Sequence, residues 1–87
     1  MASIREKSER NGAAASYLQS IRVGQRPKIT YPQIAERTGI THDTVKRLMT
    51  NSAEFSIDEF LSIAEAVGVD GATALDALAK IVKDQGL

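Results

Sequence analysis

The chain holds one histidine, His42, and no cysteine. His42 stands beside Asp43, Thr44, Lys46 and Arg47 in the segment from Thr41 to Thr50. A zinc cage needs several nitrogen or sulfur ligands, and a thiolate nucleophile or a disulfide needs cysteine, so these residues cannot supply such chemistry. The carboxylates are scattered rather than gathered for acid–base work, and the six glycines form no phosphate-cradling loop. No enzyme, metal or cofactor is expected. What the segment offers is recognition: charged and hydrogen-bonding side chains close together in sequence.

Those side chains need an element to carry them. Val45 and Leu48 break the polar run at helical spacing, Thr41 is a good N-cap, and Asp43 falls in the first turn, where the helix dipole favours an anion. The preceding helix opens at Thr30, whose hydroxyl and the Gln33 side chain form a capping box, with Pro32 in the first turn. It carries Ile34 and Ala35 inward and stops at Gly39, a residue that tolerates the left-handed conformation. Ile40 plugs the corner, so two short helices meet at a glycine turn.

The remaining apolar positions also recur at helical spacing. Ala14, Tyr17, Leu18 and Ile21 predict a first helix from near Ala13 to Val23, followed by a loop at Gly24-Gln25-Arg26-Pro27-Lys28. Ser56 and Glu59 form a second capping box, opening a fourth helix that buries Ile57, Phe60, Leu61, Ala64 and Val67. A fifth starts at Gly71 or Thr73, with Leu75, Leu78, Ile81 and Val82 in line. The expected architecture is all-α with five helices: a flexible basic N-terminal arm over 1–12 and one domain over 13–87.

At 87 residues, with 43% hydrophobic and 25% charged, the chain suits one self-folding core. No apolar run approaches the roughly 20 residues of a membrane span, and Met1 to Arg10 alternates charges where a signal peptide is apolar, so a cytoplasmic setting is expected. The net charge of zero hides a division. Residues 1–50 carry nine Lys/Arg against four Asp/Glu, a balance of +5, and residues 51–87 carry two against seven, a balance of −5. This asymmetry suits a protein with one face on phosphate, the alternative being a fold that neutralises itself internally.

Tyr31 to Thr50, YPQIAERTGITHDTVKRLMT, resembles the helix-turn-helix of the Cro and lambda-repressor-like (XRE) family of phage and bacterial transcriptional regulators. Ala35, Gly39, Ile40, Val45 and Leu48 fall at that motif's offsets. Leu18, Ile21 and Arg22 look like the family's first helix, and Phe55 to Asp70 like its fourth, so the likeness covers roughly residues 14 to 80. Two positions depart from the family. Tyr31 stands where many relatives hold phosphate with Gln, and Met49 where several place a Glu that pairs with an Arg of helix one, which leaves Arg22 freer to face phosphate.

The resemblance implies a sequence-specific DNA-binding regulator, such as a phage or prophage Cro- or immunity-type repressor, whose third helix lies in the major groove of double-stranded DNA. Its base-reading side chains are then His42, Asp43, Thr44 and Arg47. Arg47 can bond bidentately to guanine, or else pair with Asp43 or a phosphate. Phosphate contacts fall to Arg22, Arg26, Lys28, Tyr31, Gln33, Lys46 and Thr50, and Arg5, Lys7 and Arg10 could reach along the duplex or belong to a frayed terminus. A homodimer on the operator is expected, with the last helix either supplying its surface or closing the core. Neither a membrane nor a small-molecule effector is expected as a partner. A DNA-binding antitoxin and a helical protein-interaction module are the other classes open to this sequence.

Overall fold

Tyr31 to Met49 folds as the capping residues dictate. In the computed structural model, which describes residues 2–86 and the side chains from Glu9 onward, the elements are α1 (Ala2–Gly24), α2 (Tyr31–Thr38), α3 (His42–Met49), α4 (Ile57–Ala66) and α5 (Gly71–Asp84). Among the described residues there is no strand, and the fold is all-α. Thr30 and Gln33 form their capping box, and Gly39 closes α2 at φ 78°. Ser56 and Glu59 form the second box at the start of α4, and Asp70 caps α5 by accepting from the Thr73 amide.

One core joins the helices. Leu18 of α1, Ile34 of α2, Val45, Leu48 and Met49 of α3, Phe60, Ile63 and Ala64 of α4, Val67 at the C-cap of α4 and Ala74 of α5 are buried together. Phe60 is buried in it, with Tyr17 stacked at 6.4 Å and Phe55 edge-on at 6.0 Å between ring centroids. The radius of gyration, 12.4 Å, is that of a single body; a chain of this length packed to ordinary density has about 12 Å.

Two expectations are corrected. The first helix begins at Ala2, not near Ala13, so residues 9–12 are helical and continuous with the rest of α1. Nothing between Ser3 and Asn11 breaks a helix, and the glycine that should weaken it is placed for contact: a Cβ on Gly12 would lie 3.3 Å from Asn51 Nδ2. Asn11 then fastens α1 to the segment after α3. Its Nδ2 donates to Asn51 Oδ1 (2.7 Å) and the Ala53 carbonyl (2.9 Å), and its Oδ1 accepts from the Phe55 amide (2.7 Å). The side chains of Arg5 and Lys7 lie outside the described residues.

The second correction concerns α4. Ile57 is 69% exposed, and the buried stripe turns toward Ile63, which is fully buried. Ile57 sits in the first turn, beyond the cover of the other helices. It borders an open apolar cleft of about 220 Å³ with Phe55, Phe60, Leu75 and Leu78. On α5 only Gly71 and Ala74 are buried; Leu75 is 41% exposed, and Leu78, Ile81 and Val82 are half-buried.

Asn11→Ala removes three hydrogen bonds and leaves the Phe55 amide without its partner, so it should lower the unfolding free energy by about 1–3 kcal/mol in urea titration. Unchanged stability would mean that the Asn11 hydrogen bonds do not hold α1 to the segment after α3.

Candidate nucleic-acid interface

On α3 the apolar and polar residues separate cleanly. Val45, Leu48 and Met49 are buried, while His42, Asp43, Lys46 and Arg47 are exposed on the other side. Thr44 is half-buried: its amide donates to Thr41 Oγ1, and its own hydroxyl oxygen accepts from that hydroxyl at 2.9 Å. Thr44 is therefore part of the cap that starts the helix. Arg47 and Asp43 form the i,i+4 pair, but at 4.0 Å and with side chains 60% and 81% exposed. Such a pair is worth about 0.3–0.5 kcal/mol, so the guanidinium is released from it at little cost.

The far end of α3 leaves no terminal carbonyl open. The Lys46 carbonyl accepts from the Thr50 amide (3.0 Å) and from the Thr50 hydroxyl (2.7 Å). The Arg47 carbonyl accepts from the Ser52 amide (2.7 Å), and the Leu48 carbonyl from the Asn51 amide (3.2 Å). This is a Schellman closure with Asn51 at φ 61° in the left-handed position. The last carbonyl, that of Met49, accepts from the Gln19 side-chain amide of α1 at 3.0 Å. Arg37 does the same for α4, donating from Nη1 to the Ala66 carbonyl at 2.8 Å.

Gln19 also joins the candidate phosphate residues. Its Nε2 donates to the Tyr31 hydroxyl at 2.7 Å, and its Oε1 accepts from Arg22 Nε at 2.7 Å. Arg22 lies over the Tyr31 ring at 4.5 Å and donates from Nη1 to the Ile29 carbonyl at 2.9 Å. One network thus ties α1 to the loop before α2, to the first residue of α2 and to the last residue of α3. Arg22, which the sequence leaves facing phosphate, is half-buried here and engaged within the domain.

Arg26 and Lys28 are exposed on the loop that this network anchors, and Lys46 is exposed on α3. The Gln33 side-chain oxygen Oε1 accepts from the Thr30 amide at 2.8 Å, which leaves Nε2 for an outside acceptor. Thr50 is exposed with its hydroxyl turned back on α3. Sequence reasoning missed Asn11, Gln19, Arg37 and Asn51. Asn51 alone carried a local signal, an asparagine just past a helix end; the partners of the others are distant in sequence.

Arg22→Ala should cost about 1–3 kcal/mol of unfolding free energy, because it removes two charge-assisted hydrogen bonds and a cation–π contact. A variant of unchanged stability whose duplex binding has a salt slope shallower by about 0.9 would instead return Arg22 to phosphate. Compared with protein-family models, curated proteins and solved structures, the chain matches none.

Proposed function

We infer that the chain binds double-stranded DNA sequence-specifically, laying α3 in the major groove, and acts as a transcriptional regulator that occupies an operator, in the manner of a phage or prophage Cro- or immunity-type repressor. One observation carries this reading. A two-ended, capped helix of eight residues is bolted to the core by Val45, Leu48 and Met49 while it presents His42, Asp43, Lys46 and Arg47 to solvent. A major groove about 12 Å wide admits such a helix. Arg47 reads a guanine edge, His42 and Asp43 stand at the end of the helix nearest the bases, and Lys46, Arg26 and Lys28 meet phosphate. The amide of Gln33 and the hydroxyl of Tyr31 add neutral backbone contacts.

Duplex binding should fall with salt at a log–log slope near −0.9 per phosphate neutralised, and removing the charges of Arg26 and Lys28 should flatten that slope for every sequence alike. Arg47→Ala should cost about 1–3 kcal/mol on a preferred site selected from random duplexes and much less on random DNA. Equal losses on both would make Arg47 a backbone contact, and no binding at low salt would remove the DNA reading.

A single short helix reads only a few base pairs, so an operator needs two copies. The edge formed by Ile57, Leu75, Leu78 and Val82 supports pairing there, because the core leaves it partly uncovered. Leu75→Glu should leave the fold intact and fill a two-fold site with one copy at reduced affinity, as read by mass and stoichiometry. A pair that still fills the site with unchanged affinity would place the dimer surface elsewhere. The same apolar edge also supports the protein-partner reading, in which a small protein rather than a second copy covers it.

A further inference from the structure

We propose that Gln19 is a positioning residue that aims the Tyr31 hydroxyl outward at a DNA phosphate and, through the same amide group, seats α3; this rests on the DNA-binding reading above.

The orientation of the Gln19 amide is fixed from both sides. Arg22 Nε–H can only donate, so Oε1 must face it, and the Met49 carbonyl can only accept, so Nε2 must face that. Both hydrogens of Nε2 are then spent, one on the Met49 carbonyl and one on the Tyr31 oxygen at 2.7 Å. The Tyr31 hydroxyl therefore accepts from Gln19 and cannot donate to it. Among the described residues its own hydrogen has no acceptor, and it is left for one outside the domain.

Two contacts, the Gln19 bond and the Arg22 guanidinium, polarise that hydroxyl. Accepting a hydrogen bond polarises the hydroxyl, and the Arg22 guanidinium over the ring at 4.5 Å draws electron density from the phenol. Tyr31 is the first residue of α2 and Met49 the last of α3, so one amide sets the phosphate contact and the position of the exposed helix together. Gln19 itself touches no DNA.

The test is the effect of Tyr31→Phe on duplex binding in three backgrounds. With Gln19 present, loss of a hydrogen bond to a charged phosphate should weaken binding about tenfold. In Gln19→Glu the carboxylate still pairs with Arg22 but accepts from Tyr31, turning the hydroxyl inward, and the Tyr31→Phe penalty should vanish. The added negative charge cancels, since it is present with and without the hydroxyl. Gln19→Met, which is neutral and donates nothing, should shrink the penalty as well, and it serves if Gln19→Glu fails to fold.

The chain has two tyrosines and no tryptophan, so in a Tyr17→Phe background Tyr31 is the only such fluorophore. With both proteins saturated by duplex, its emission should change on binding when Gln19 is present and not in Gln19→Glu. The comparison at saturation separates the direction of the hydroxyl from any loss of affinity through α3. A tenfold penalty that persists in both Gln19 backgrounds, or no penalty at all in a parent protein that binds duplex, overturns the role of Gln19 alone. A parent protein that binds no duplex at low salt overturns the DNA reading and this proposal with it.

Discussion

A helix of eight residues does not hold itself together in water, because the few hydrogen bonds it gains barely offset the cost of nucleating it. Two of the five helices, α2 and α3, have that length, and they are the two that carry the candidate interface. Everything around them answers this constraint. Their N-termini are closed by Thr30 and Thr41, and their C-termini by Gly39 and Asn51 in left-handed conformations. Burial of Ile34, Val45, Leu48 and Met49 supplies the stability that propensity cannot. The last unpaired carbonyl of α3 is taken by a side chain from α1, so the longest helix acts as the frame on which the two shortest are mounted.

Much of this was legible in the sequence, because the determinants are local. Thr30 and Gln33, Ser56 and Glu59, Thr41 and Gly39 each act within four residues of the element they begin or end, and all six do in the structure what their types and spacing predict. The buried faces of α2 and α3 were legible for the same reason. On α4, periodicity pointed to a stripe, but its centre depends on which neighbours cover the helix. Ile57, at the uncovered end, is exposed and Ile63 is buried in its stead. The start of α1 failed similarly: the apolar spacing begins at Ala14, whereas Asn11 is tied to Asn51, Ala53 and Phe55 only through tertiary packing.

The candidate site was legible where it faces solvent and illegible where it is braced from behind. The outward set on α3 follows from the position of Val45 and Leu48. The brace does not, since Gln19 meets Tyr31 and Met49 only through tertiary packing, and an exposed-looking arginine at position 22 gives no sign that its guanidinium will cover an aromatic ring. The residues between α1 and α2 are thus held at both ends by Arg22, through its backbone carbonyl to the Ile29 amide at 3.4 Å and through its side chain to the Ile29 carbonyl. Arg26 and Lys28 stand on a loop of fixed span beside the start of α2, which suits cations that must meet a regular array of phosphates.

The central claim is that this arrangement reads DNA sequence, and selection of bound duplexes from a random pool at low salt tests it most directly. The account predicts enrichment of a two-fold symmetric site whose half-sites are centred about 10–10.5 base pairs apart, with guanine at the position that Arg47 reads. A pool that remains as random after selection as before it would contradict the account.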